Sequence, residues 1–195
     1  MVYDGERGCL HKKGSPDVPT EQIKEVVDNL SDSTMGFSGG EPTISDDFFE
    51  VIDYTREKHP EKLIFVVSNG RMFSYEKFVR KLERTEPANP NFRLGIALFG
   101  HTPELHDKIT RAKGSFEQTV EGIENLLDHG YDIELRVIVN RMNYRELPLM
   151  ARYISDNFEG VMRVVFINMK YTGNALKNFE RIGVRISDSN PYACK

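Results

Sequence analysis

Residues 35–45, MGFSGGEPTIS, decide how the rest of the chain is read. A short apolar run with strand character, Met35–Ser38, breaks into Gly39-Gly40-Glu41-Pro42, and a helix is expected to begin near Ser45. Paired glycines open backbone conformations closed to other residues and let a ligand approach the main chain closely. Pro42 removes a donor and restricts Glu41, so the turn is held in a fixed, non-helical form. Loops at the carboxyl ends of parallel strands are where α/β sheets bind ligands. Taken alone, however, these four residues fit a tight strand-to-helix turn without a ligand better.

Working outward, the same alternation repeats. Ile23, Val26, Val27 and Leu30 give a helix from Thr20 one apolar face. Phe48, Phe49, Val51 and Ile52 do so for a helix capped by Ser45 and ending before Pro60. Strand-like runs follow at Leu63–Val67, Phe92–Phe99, Ile133–Val139 and Met162–Asn168. Helical spacing lies between them, at 74–84, 115–129 (closed by Gly130) and from Asn143 or Tyr144 to Asn157. Residues 101–113 read as a longer connection containing a helical turn. The pattern predicts a parallel α/β unit over 20–175 with right-handed crossovers and no required antiparallel strand. Residues 1–19 read as an irregular lead-in, and 176–195 as a tail that looks cut rather than finished. Periodicity does not choose between an open partial barrel and a doubly wound sheet.

A chain of 195 residues can bury one sizeable core but is short for a closed eight-unit barrel. The formal net charge of −4 gives no electrostatic reason to expect nucleic acid or an anionic membrane as partner. No apolar run is long enough to span a bilayer, and residues 1–14 lack a signal-peptide core, so the cytoplasm is the default expectation. Cys9 and Cys194 stand at opposite ends of the chain and form neither a disulfide framework nor a metal motif. No metal ligand is assigned.

In a parallel sheet the strand exits converge on one edge. Here they carry Ser38 to Pro42, then Ser68-Asn69-Gly70, then Gly100, His101, His106 and Asp107, then Asn140, Arg141 and Asn143, then Asn168 and Lys170. Such a set suits a polar ligand with an amine and a carboxylate. Alternation puts Glu134, Arg136, Ile138 and Asn140 on one face of the fourth of these strands. A buried parallel strand is ordinarily apolar on both faces. Glu134 and Arg136 therefore either pair inside a polar lumen or mark an exposed edge. The His106-Asp107 pair suits a general base, and equally a surface loop or helix cap.

FSGGEPT (37–43), VVSNG (66–70), the segment 105–154 and YTGNA (171–175) together resemble the radical S-adenosylmethionine (radical SAM) enzymes, the 105–154 segment above all those of peptide-modifying maturase type. The resemblance implies an open, partial (β/α) TIM-type barrel of about five parallel strands with helices outside. It implies that Gly39, Gly40, Glu41 and Pro42 contact the methionine amine of S-adenosylmethionine. Ser68 and Asn69 would lie beside the cofactor, and Arg136 and Asn140 would line its pocket. It implies a [4Fe-4S] cluster whose reduced form cleaves S-adenosylmethionine to a 5′-deoxyadenosyl radical, and a peptide as possible substrate.

Two departures stand against it. The family's CxxxCxxC cluster motif is missing, with no strand expected before the first helix, and the family's Ser-Leu-Asp-Gly pattern is replaced by Ala97-Leu98-Phe99-Gly100. Three expectations follow. The chain is a fragment of a radical SAM enzyme, a cluster-less radical SAM-like binding or scaffold protein, or an unrelated α/β enzyme using His106 and Asp107.

Overall fold

The computed structural model describes residues 2–4, 8–9, 18–169, 171 and 174–193; for 2–4, 8–9 and 174 only the backbone is described. Lys170, Thr172-Gly173 and Cys194 lie outside them, as does the side chain of Cys9. Five strands run parallel: β3 (Thr34–Phe37), β4 (Leu63–Ser68), β5 (Phe92–Ala97), β6 (Asp132–Val139) and β7 (Arg163–Asn168). They lie side by side in chain order, as right-handed βαβ crossovers produce. Helices α1 (Thr20–Asp28), α2 (Phe48–Lys58), α3 (Glu76–Thr85), α4 (Pro103–Thr110), α5 (Ser115–Asp128) and α6 (Leu147–Asn157) connect or flank them. The result is an open α/β sheet of the partial-barrel kind.

The sequence reading needs correction at four places. The lead-in is not wholly irregular: β1 (Val2–Asp4) pairs antiparallel with β3, and β2 (Gly8–Cys9) pairs antiparallel with β1, adding a hairpin to the sheet edge. These strands are of three and two residues, too short for periodicity to reveal. Residues 103–110 form a two-turn helix, capped by the Thr102 hydroxyl with Pro103 at its first position. The tail folds into α7 (Asn174–Lys177), α8 (Phe179–Ile182) and α9 (Ile186–Ala193). Finally, the N-cap position of α2 is Asp47 and not Ser45, because Pro42–Ile44 form a 3₁₀ turn that delays the helix; the Asp47 carboxylate makes no capping bond and accepts from the Ser45 and Thr20 hydroxyls.

One face of the sheet holds the core. Met35, Ile64, Val66, Phe92, Leu94, Ile96, Ile133, Leu135 and Val137 are all fully buried, and Val27, Ile52, Val79, Leu82, Ile123, Leu126 and Met150 of the helices complete the cluster. Each such side chain contributes about 1.5–3 kcal/mol, so this face fixes the strand register. At the amino ends of the strands, Arg56 pairs with the buried Glu86 and donates to the carbonyls of Pro60, Lys62 and Asn91. These bonds fasten the entrances of β4 and β5 to α2 and to the end of α3.

Candidate functional site

Glu41 organises the carboxyl edge. Its carboxylate accepts from the Thr43 backbone N–H (3.3 Å), the Thr43 hydroxyl (2.6 Å), the Ser68 hydroxyl (2.7 Å) and the Asn69 backbone N–H (2.7 Å). The first two bonds close the β3 exit turn on itself, and the other two fasten it to the β4 exit. Hydrogen bonds to a charged acceptor are the strong kind. The Gly39–Pro42 loop is thus clamped by its own glutamate, whose side chain is engaged with protein rather than held out toward a ligand.

The backbone beside it is left open. Gly39 has φ 147°, a conformation L side chains rarely adopt. A Cβ added at Gly40 would meet nothing within 4 Å. The loop backbone is thus held in place, with open space on the side where a Gly40 Cβ would stand.

The second exit is equally fixed. Ser68 is buried and its hydroxyl accepts from Gly70 N–H (3.0 Å), while the Asn69 carboxamide accepts from Arg71 N–H (2.9 Å). Thr119 of α5 donates to the Asn69 carbonyl (3.0 Å), and α5 comes so close that a Cβ on Gly122 would lie 2.2 Å from the Gly70 carbonyl oxygen. Gly39, Gly40, Glu41, Pro42, Ser68 and Asn69 form one assembly.

Arg136 and Asn140 stand apart from it. Asn140 is buried at the β6 exit, where its carboxamide accepts from Met142 N–H (2.9 Å) and donates to the Ile138 carbonyl (3.1 Å). Asn143, fully buried, accepts from Asn140 N–H and donates to the carbonyls of Phe99 and Ile138. Asn140 borders a cavity of about 360 Å³ shared with Phe99, Arg111, Ile138 and Arg181. Arg136 lies deeper, on the sheet face opposite the core, bonded to Glu134 (2.5 Å) and stacked over Phe65 (5.6 Å). Glu134 is buried and also bonds Arg163 of β7 (2.5 Å), so of the two readings of that strand the interior polar pairing is the one observed.

The general-base reading of His106 and Asp107 finds no support. His106 is buried between Phe99 and Phe116, and its Nδ1 accepts from Phe99 N–H (3.3 Å), which leaves the ring proton on Nε2. Burial lowers its pKa to about 4 despite the opposing Asp107 charge. Burial tends to raise the Asp107 pKa, but bonds from Gly114 N–H (2.6 Å), Phe116 N–H (2.9 Å) and the Ser115 hydroxyl (2.9 Å) outweigh it and hold the pKa low. Asp107 caps the start of α5, and His106 is a neutral core ring whose Nδ1 lone pair is taken by Phe99 N–H.

A model of the radical SAM superfamily matches residues 9–154. The chain belongs to the radical SAM superfamily. This radical SAM chain is 32% identical over 167 residues to the mycofactocin maturase MftC of Mycolicibacterium smegmatis, covering 78% of the chain and 41% of that protein. It is 32% identical over 157 residues to the subtilosin biosynthesis protein AlbA of Bacillus subtilis (76% and 34% covered). It is 29% identical over 164 residues to the Fe-coproporphyrin III synthase of Methanosarcina barkeri (83% and 39% covered). Among solved structures it superposes on Streptococcus suis SuiB bound to precursor peptide SuiA with a TM-score of 0.67, at 10% identity over 86% of this chain and 36% of that one. It superposes on anSMEcpe with bound AdoMet with a TM-score of 0.58, at 19% identity over 76% and 41%. At these identities the superpositions speak for the fold: an open (β/α) barrel of the radical SAM kind. The radical SAM chain spans about two fifths of the length of the curated relatives it matches.

Proposed function

We propose that this radical SAM domain binds S-adenosylmethionine at the β3 and β4 exits and forms the core of a cytoplasmic enzyme that modifies a peptide. The single observation carrying the cofactor site is the clamp described above: Glu41 fixes the loop through four bonds while the Gly40 backbone faces open space. The Glu41 and Pro42 carbonyls accept from the Ile44 and Ser45 N–H groups, so the carbonyls of the glycine pair are the acceptors for an ammonium group, and a glycine-lined edge lets the methionine moiety come within bonding distance. Glu41 serves as a positioning residue, holding the loop from behind. The chemistry itself would be supplied by the family's cofactor and cluster rather than by the side chains of this domain. The domain's own part is to bind the amine, orient the methionine moiety and exclude alternative poses.

The cluster does not fit the residues present. The chain's 195 residues contain two cysteines, and among the described residues no group of three or more His, Cys, Asp or Glu is placed to hold a metal. No step through a cluster follows from them. Peptide modification is supported by the names of two relatives, a mycofactocin maturase and a subtilosin biosynthesis protein. The cytoplasmic placement is supported by the sequence and by the absence, among the described residues, of any helix long and apolar enough to cross a membrane.

Calorimetric titration tests the cofactor site. S-adenosylmethionine is expected to bind at least tenfold more tightly than 5′-methylthioadenosine, which lacks the amine and carboxylate, a difference of at least about 1.4 kcal/mol. Equal affinities would sink the assignment. Anaerobic reconstitution with iron and sulfide is expected to give no 5′-deoxyadenosine from this chain alone; cluster-dependent product would overturn that.

A further inference from the structure

The β3 and β4 exits use none of the charge on the inner face of the sheet. Five ionic side chains stand there in adjacent rows: Arg93 of β5, Asp132, Glu134 and Arg136 of β6, and Arg163 of β7, with Asp132 paired in register to Arg93, and Glu134 to Arg163 and to Gly95. Both Glu134 oxygens are taken. Oε1 accepts from Arg136 and Oε2 from the Nε and Nη2 of Arg163. Gly95 makes room for the arrangement, since a Cβ there would lie 2.8 Å from Phe65 Cζ and 2.9 Å from Arg136 Cδ.

Arg93 is left over. Its Nε is buried and has no hydrogen-bond partner, and among the described residues it forms no ion pair, not even with its register partner Asp132. An arginine is always charged, and a buried charged donor without an acceptor is more costly than a neutral one. With Glu134 saturated and Asp132 forming no ion pair among the described residues, three guanidinium groups share the face with two carboxylates, which leaves it one positive charge in excess. The face is accessible: the Arg136 and Arg163 side chains are 27% and 56% exposed. Val67, Ala97, Ile138 and Val165 on the same face are half-buried and apolar.

We propose that Arg93, with Arg136 and Arg163, forms a subsite for a carboxylate carried by the substrate, on the inner face of the open barrel. The proposal rests on the reading of the domain as a radical SAM enzyme core. The guanidinium edge matches the planar carboxylate as a two-bond acceptor. The surrounding apolar side chains and Phe65 suit an acid carried on a carbon chain over a free inorganic anion.

The side-chain Nε–Hε resonance of Arg93 in the ¹⁵N-labelled chain, assigned by its loss in Arg93→Lys, gives a direct test. N-acetylglutamate amide is expected to move it saturably with a Kd of about 0.1–10 mM, while N-acetylglutamine amide leaves it in place. In Arg93→Met, whose fold is checked by circular dichroism, the response of the Arg136 and Arg163 resonances should weaken at least fivefold. No movement with the acid, equal movement with acid and amide, or saturation by inorganic phosphate at tenfold lower concentration would each overturn the carboxylate subsite. S-adenosylmethionine added to the same sample reports on the Gly40 and Asn69 amides. If those stay still while Arg93 responds, the cofactor reading fails and the subsite stands; the reverse sinks the subsite alone.

Discussion

The exits of β3 and β6 are both polar and both tied down by a side chain, yet they do opposite things. At β6, Asn140 and Asn143 fold their carboxamides back on the turn and on the β5 exit, so the hydrogen-bonding capacity is consumed where it arises. At β3 the glutamate reaches across to the next strand, and the glycine preceding it is left facing space. A polar strand exit is therefore not in itself a site. What distinguishes one is a fixed backbone with open space beside its glycine.

The comparison breaks most visibly at Glu41. Glu41→Ala removes an acceptor of four bonds and strands the Asn69 N–H. A loss of about 4 kcal/mol in urea unfolding is expected, together with loss of measurable S-adenosylmethionine binding. A variant that keeps its stability would show that the two exits are not coupled through this carboxylate.

The β5 exit is of the self-consuming type, and pH exposes it. His106 is neutral when folded, its pKa lowered by burial from 6.5 to about 4. The unfolded chain takes up the proton first as pH falls, so this contribution is fully present above about 6.5 and is lost between there and about 4. The fall corresponds to about 3 kcal/mol. Unfolding free energies from pH 7.5 to 4 should lose that increment in the native chain and keep most of it in His106→Gln; parallel curves would mean the ring is not buried neutral.

Asn143→Ala sharpens the contrast from the other side. The substitution leaves the Asn140 N–H and two carbonyls without their partner, at a cost of about 2 kcal/mol. Because these bonds serve only the turn, S-adenosylmethionine affinity should change less than threefold. A tenfold change would give the β6 exit a direct part in the site.

Much of this was legible in the sequence, for stated reasons. The five parallel strands and the helices between them follow from apolar periodicity, and the β3 and β4 exits from Gly, Pro and Ser-Asn-Gly punctuation. The β1–β2 hairpin and the 3₁₀ turn at 42–44 were not, because two- and three-residue elements carry no period. Nor was the use of each polar group: Asn140, His106 and Glu41 look alike as strand-exit residues, and only their partners separate cap from clamp. Arg93 was within reach. The alternation that paired Glu134 with Arg136, applied to Phe92–Ala97, puts Arg93 and Gly95 on that same inner face.

Gly40 carries the smallest effect on stability and the cleanest separation. A Cβ there meets no atom within 4 Å, and its φ is not among the positive values, so a side chain neither clashes nor strains the fold. Gly40→Val should change unfolding free energy by less than about 0.5 kcal/mol. The added methyl groups would occupy the space in which the backbone meets its ligand, and S-adenosylmethionine affinity should fall at least tenfold, about 1.4 kcal/mol. Gly39→Val is the control: at φ 147° it should cost stability as well as binding. If Gly40→Val bound the cofactor normally, the open edge beside Glu41 would be bare turn like the one at β6, and the difference between the two exits would lie in their bonding alone.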